Sequence, residues 1–387
     1  MIDKDTLLKK LEAIRSEPIQ DFVRKDEEWN DYTEYVDAEK ICKNPAVSCC
    51  VFTYNQEKYI RECLDSIVSQ KADFEYEVLV CEDCSTDGTL AICREFQARY
   101  PEKVRIIHAN RNYYRGALNF RRGYELARGE YIAICEGDDY WCNDRKIQLQ
   151  YDAAKEKNAV AVFTDNKTLK GDQLSPQGVF EAQNLYDRLA RFTREDFIAE
   201  RFGGTGYRGG MLATATFFIR KDILFKIKNS EFGRKRLGLG DIQIRTGAPR
   251  YGEVVFLPLV TVVYREGVGV CTTVHPKGKN ADFSIDCALA EFYLRWEALT
   301  PKEKKMLIWS NTVRLLNSAR FSSNVSKEAQ VKIRGFSWSL VPYLPVTKIW
   351  KFFIVYMASY SPVGYRLIAK LARIRQELKQ MLGRKSS

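Results

Sequence analysis

Histidine is nearly missing from this chain: there are two in 387 residues, His108 and His275, far apart in sequence. Metal sites built from several imidazoles and Ser-His-Asp catalysis therefore start with little support. No uncharged apolar run reaches the roughly 18 residues that a membrane-crossing helix needs. The opening "MIDKDTLLKKLEAIRSEP" alternates charge with Leu and Ile, so it lacks the apolar centre of a secretory signal. Acidic residues are scarce at the other end. Residues 331–387 hold 11 Lys/Arg and one acidic residue, Glu377, so nearly all of the net charge of +11 lies there. The preceding 330 residues are close to neutral, and nucleic-acid binding by the main body has little electrostatic support.

Cysteine is not scarce. The 11 cysteines are an odd number, scattered through apparent strands (Cys49, Cys50, Cys81, Cys135) and helices (Cys63, Cys93). Reduced, buried thiols in a cytosolic protein fit this pattern better than a loop-borne disulfide framework. Cys81 and Cys84 match CxxC without a second pair nearby, a weak redox or zinc signal.

After a charged helix and a polar lead-in over residues 1–45, short apolar runs alternate with amphipathic helices. Strands are expected over 46–52, 76–81, 104–108, 131–135 and 159–164, and helices over 56–70, 89–100, 117–128 and 144–157. This is the signature of βαβ units, an α/β fold with a parallel sheet covered on both faces. Residues 166–210 are polar and Gly-rich with one short helical stretch at 195–201. Met211–Arg220 is strand-like, "VVFLPLVTVVY" looks like paired strands, and the chain is helical from Asp282 onward.

Ligands of such sheets bind beyond the carboxyl ends of the strands. Three ends carry suitable side chains: Thr53-Tyr54-Asn55-Gln56-Glu57, then Glu82-Asp83-Cys84-Ser85, then Glu136-Gly137-Asp138-Asp139. Helix capping accounts for Ser85, Asp87 and Asp139. It does not account for Glu136 and Asp138 so close together, a pairing whose repulsion a divalent cation relieves through hard oxygen ligands. "GTGYRG" at 204–209 matches GxGxxG but follows a helical segment rather than a strand, so a dinucleotide reading is poor.

The succession "CCVFTYNQEKYIRECLDSI", "YEVLVCEDCSTDGT", "ARGEYIAICEGDDYW" resembles the family-2 glycosyltransferases of GT-A fold over roughly residues 46–270. The resemblance implies three regions: a lead-in at 1–45, a GT-A domain at 46–280, and a helical region at 281–387 ending in a basic amphipathic tail. It also implies a nucleotide-sugar donor held by Thr53, Tyr54, Asn55, Glu57, Glu82, Asp83, Ser85 and Asp139. Asp138 and Glu136 would ligate Mn²⁺ or Mg²⁺, with Asp138 the more secure. The chain departs from the family pattern near Gly123, where Phe120-Arg121 replaces the usual Arg-Asn; Arg115, Asn119, Arg121 or Arg122 would supply those donor contacts. Asp241, at an apparent Gly-to-helix boundary, is the expected general base of an inverting transfer, and an N-cap for a helix over 242–250 is about equally natural. Arg265 contacts diphosphate or acceptor, or pairs with a carboxylate. His275 reaches the diphosphate, or has a structural or exposed role.

The expected acceptor is a growing surface-polysaccharide or lipid-linked glycan. The tail has two stretches, "KIWKFFIVYMASYSP" and "GYRLIAKLARIRQELKQMLGRK", that combine aromatic and aliphatic residues with Lys/Arg; in the second, Leu367, Leu371, Ile374 and Leu378 recur at three- and four-residue spacing while Lys370, Arg373, Arg375 and Lys379 take other faces. Such a helix suits an anionic membrane surface, and the expected location is cytoplasmic, peripheral on the inner face of the membrane. The alternative from another class is a binding or scaffold protein that kept the fold without turnover. A nucleotidyltransferase reading fails, because "TYNQEKY" has no glycine for a phosphate loop.

Overall fold

The computed structural model describes residues 3–14, 22–113, 116–191, 213–230, 233–234, 240–268, scattered positions between 287 and 316, and 327–360. The chain divides into two units, Gln20–Val274 and Met1–Ile19 together with His275–Ser387.

The first unit is built on one mixed sheet in the order β1-β4-β3-β2-β5-β9-β7-β10-β6, with β8 paired to β7. Its strands are β1 (Tyr32–Tyr35), β2 (Val47–Thr53), β3 (Tyr76–Glu82), β4 (Val104–Ala109), β5 (Tyr131–Glu136), β6 (Tyr140–Trp141), β7 (Ala159–Lys170), β8 (Gln173–Leu174), β9 (Phe218–Arg220) and β10 (Glu253–Arg265). Strands β4, β3, β2 and β5 form a parallel heart. Their residues alternate between two cores, as period-2 geometry requires. Cys49, Val51, Val78 and Val80 face one side, and Cys50, Phe52, Leu79 and Cys81 the other. Both sides are covered, which is why these strands read as unbroken apolar runs.

The helices of this unit are α2 (Asp26–Trp29), α3 (Ile60–Val68), α4 (Thr89–Arg99), α5 (Ala117–Leu126), α6 (Lys146–Glu156), α7 (Tyr186–Leu189), α8 (Lys221–Asn229) and α9 (Gly240–Gly247). Helix α5 crosses the sheet closely because Gly123 has no side chain. A Cβ there would lie 2.6 Å from Cys81 Sγ and 2.7 Å from the Phe52 ring.

Two features differ from the sequence expectation. Residues 253–265 form one strand and not a pair; it runs parallel to β7, with register shifts beside Pro258 and Thr261. A proline interrupts ladder bonding, so a strand that contains one reads as two. Residues 32–35 form an edge strand antiparallel to β4. With two of its four residues exposed, β1 gives no alternating signal.

In the second unit, α1 (Lys4–Glu12) is capped by Asp3, whose carboxylate accepts from the Thr6 amide at 2.9 Å. It packs near α10 (Lys327–Ser339), where Lys10 donates to Ser339 Oγ at 2.6 Å. Helix α11 (Ile349–Ala358) completes the described part. The expected helix at 195–201, the 204–209 glycines and the basic tail beyond residue 360 lie outside the described residues. Among the described residues, no helix is long and apolar enough to cross a membrane.

Candidate active site

Parallel pairing of β2 with β3 and β5 brings the ends of all three strands to one rim. The loops after β2 and β3 interlock there. The Asn55 amide donates to Ser85 Oγ at 2.9 Å, and Asn55 Oδ1 accepts from the Thr86 amide at 2.8 Å. Glu57 accepts from the Gly88 amide at 2.8 Å, while its own amide donates to Asp87. Asn55 takes the left-handed conformation (φ 52°) that this turn demands, which asparagine tolerates better than most residues. Asn55, Glu57 and Ser85 are thus engaged with one another. The polar atoms in these bonds hold the rim in shape. Thr53 donates to Gln56 Oε1 at 2.8 Å, and Tyr54 is half-buried on the same loop.

Glu82 is also internal. One oxygen accepts from the Ser85 amide at 2.7 Å, and the other meets His108 Nδ1, its register partner on β4. Asp83 is different. Oδ2 accepts from Asn112 Nδ2 at 2.7 Å, but Oδ1 is buried without a partner. Burial, then the neighbouring Glu82, pushes its carboxyl up to about 7. Asn119 lies one turn before Gly123 on α5, on the side that crosses β2 and β3. It is buried, and neither end of its amide has a partner. Leaving such groups unpaired costs about 1–3 kcal/mol each, which an incoming ligand can recover.

Arg122 does not face a ligand with most of its donors. It is fully buried, and it donates to the carbonyl oxygens of Glu28, Trp29 and Asp31, tying down the segment around α2; Nη1 alone is unpartnered. Arg121 donates to the Lys228 and Gly233 carbonyls at 2.9 and 3.0 Å. Arg115 lies outside the described residues.

At the end of β5, Gly137 passes so close to the first loop that a Cβ would meet Gln56 Oε1 at 2.4 Å and Thr53 Oγ1 at 2.8 Å. Glu136 Oε2 is buried and unpartnered. Burial, followed by the Asp138 charge, raises Glu136 to about 8. Asp138 is raised by burial and opposed by a hydrogen bond from Gln56. Thr214, Gln56 and Arg265 offset this only in part, and both carboxyls stay raised. Among the described residues no three His, Cys, Asp or Glu side chains converge as a ready-made metal cage. A two-carboxylate donor set nevertheless fits a hard divalent cation whose remaining positions go to phosphate and water.

Asp139 and Arg265 meet at the turn after β5. The Arg265 amide donates to Asp139 Oδ1 at 2.9 Å, joining β10 to the turn. The Arg265 guanidinium donates to the Asp138 carbonyl at 2.5 Å and pairs with Glu62. Arg265 thus has a carboxylate partner in Glu62, and Asp139 Oδ1 is engaged by the β10 backbone.

Asp241 sits in the first turn of α9, half-buried, with Oδ2 held at 2.7 Å by Arg245 Nη2 one turn on. After burial and Asp138, its charge adds to the rise of Glu136. The i,i+4 spacing was available in sequence to find Arg245. Asn112 and His108 carried no comparable signal, because only pairing of β4 with β3 brings them near. His275 lies outside the described residues.

A parallel α/β sheet with acidic residues gathered at one carboxyl rim is the frame of enzymes that act on nucleotide-linked groups. Residues 48–223 match the model of glycosyl transferase family 2. It is 31% identical over 183 residues to the dTDP-rhamnosyl transferase RfbG of Shigella flexneri, covering 46% of this chain and 55% of RfbG. It is 45% identical over 104 residues to the uncharacterized protein Rv1520 of Mycobacterium tuberculosis, covering 27% of this chain and 30% of that protein. The match thus spans between about a third and about half of these relatives' length. Among solved structures, S. aureus TarS 1–349 in complex with UDP-GlcNAc aligns with a TM-score of 0.52 at 18% identity, covering 77% of this chain and 81% of TarS 1–349. That likeness concerns the fold, the GT-A arrangement.

Proposed function

We propose that the chain transfers a sugar, with inversion, from a nucleotide-sugar donor to a hydroxyl of a growing surface-polysaccharide or lipid-linked glycan at the cytoplasmic face of the membrane. The observation that carries this reading is the set of buried, unpartnered polar atoms on Asp83, Asn119 and Glu136 at the rim. The names of relatives add support: RfbG is a dTDP-rhamnosyl transferase, and TarS was solved with UDP-GlcNAc.

In this reading Asp83 and Asn119 accept and donate hydrogen bonds to the nucleoside. Glu136 and Asp138 would hold Mn²⁺ or Mg²⁺, which supplies neutralising charge for the diphosphate leaving group. Asp241, oriented by Arg245, takes the proton of the acceptor hydroxyl. That oxygen then forms its bond to the anomeric carbon as the bond from that carbon to the diphosphate breaks, and the nucleoside diphosphate departs with the electron pair. Attack from the side opposite the leaving group inverts the centre.

Thermal shift with UDP-, dTDP- and GDP-sugars, with and without Mn²⁺, on wild type and Asp138→Ala tests the donor site. Stabilisation by one nucleotide class that requires both metal and Asp138 is expected. No shift with any donor, in a folded protein, favours a scaffold without turnover.

A further inference from the structure

Helix α11 reads Ile-Trp-Lys-Phe-Phe-Ile-Val-Tyr-Met-Ala, nine apolar or aromatic residues and one lysine. A helix apolar all round is ordinarily enclosed by other elements. This one is not. Among its described side chains only Phe352 is fully buried, and Ser359 is the next described enclosed position. Trp350, Phe353, Met357 and Tyr360 follow at three- and four-residue steps, so they share one face. They are 54%, 41%, 67% and 58% exposed. Trp338, at the end of α10 and 49% exposed, extends that face, with its ring 5.6 Å from Phe353 and 5.1 Å from Tyr356. Single exposed apolar residues are normal; a contiguous aromatic stripe marks an interaction surface.

Charge identifies the partner. Residues 329–360 contain Lys332, Arg334, Lys348 and Lys351 and no Asp or Glu. Arg334 stacks over Tyr360 at 4.3 Å, and Lys351 lies 5.8 Å from the Trp350 ring, so cations border the aromatic face. Trp, Tyr and Phe beside Lys and Arg is the composition of an interfacial helix, whose rings enter the acyl boundary while its cations meet anionic headgroups. At ten residues α11 is too short to cross a bilayer of about 30 Å, so it would lie on the surface.

We propose that the Trp338/α11 face docks on an anionic lipid bilayer as an in-plane anchor. The proposal is distinct from the basic tail beyond residue 360 and does not depend on the catalytic reading.

The test is co-sedimentation of the full chain with vesicles of phosphatidylglycerol and phosphatidylcholine, against phosphatidylcholine alone. The comparison variant is Trp350→Ser/Phe353→Ser/Met357→Ser. Wild type is expected to bind the anionic vesicles, and the triple variant to partition at least about tenfold less while keeping its donor-induced thermal shift. Because the tail is intact in both proteins, undiminished binding by the variant would assign the membrane contact to the tail and overturn the proposal. Failure of wild type to bind would overturn it too. So would light scattering showing a wild-type dimer that the variant dissolves, since the face would then belong to a second copy. Met357→Asp alone, at the most exposed position of the stripe, gives the same reading should the triple variant not fold.

Discussion

Asp241 is placed where a proton acceptor is useful: half-buried, oriented by Arg245, and close enough to Glu136 to raise it. Replacing it by Asn keeps the shape and removes the basicity. Asp241→Asn is expected to lower kcat by at least about 100-fold with KM little changed, since general-base catalysis contributes about 10²–10⁴. Activity within tenfold of wild type would remove Asp241 from that role. Asn119 offers a sharper separation of stability from binding. Its buried amide has no partner in the chain, so Asn119→Leu is expected to stabilise the ligand-free protein by about 1 kcal/mol while reducing donor-induced stabilisation. Urea denaturation checks the first effect and thermal shift the second. A destabilised variant would mean that the amide serves the fold. Residue types in the sequence located the rim but could not say which polar atoms were already engaged. Asn55, Glu57 and Ser85 look identical in sequence to true ligand contacts, because their bonds join loops about 30 residues apart.

At the scale of elements, periodicity was a good guide wherever burial is regular. The strands expected at 46–52, 76–81 and 131–135 occur as β2, β3 and β5, each extended by one residue into the rim. The failures came where local chemistry misleads, as with Pro258 in β10. Gly123 shows how an element's placement reaches the site. Its lack of a Cβ lets α5 sit against Cys81 and Phe52, and that approach carries Asn119 to the strand ends. Gly123→Ala would force backbone and ring apart, at about 1–3 kcal/mol for an overpacked core. Urea midpoints should fall accordingly, and KM for the donor should rise more than kcat falls. An unchanged KM in a destabilised variant would show that α5 does not position the donor site.

The whole molecule carries several buried ionisable groups whose shifts have opposite signs, and their sum shapes stability against pH. Asp83 is raised by burial from 3.8 to about 7. Between those values the folded state holds a proton that the unfolded chain has released, so stability falls as pH rises through the window. Lys146, fully buried with its amine on Gln150 at 2.7 Å, is lowered by burial from 10.5 to about 7, and Lys228 likewise. Between about 7 and 10.5 the unfolded chain holds more protons, so stability rises with pH there. Ligand-free protein should therefore pass through a stability minimum near neutral pH. Urea midpoints measured at half-unit steps from pH 5 to 9.5 check this. Asp83→Asn should make the descending limb, to which Glu136 also contributes, shallower and leave the ascending limb intact, whereas Lys146→Met should make shallower only the ascending limb, to which Lys228 also contributes. A monotonic wild-type profile, or equal changes on both limbs in either variant, would mean that these groups do not titrate from buried positions. None of this was legible in the sequence. Asp83 and Lys146 are ordinary residues there, and only the packing of α6 and the closeness of Glu82 turn them into groups that resist their own charge.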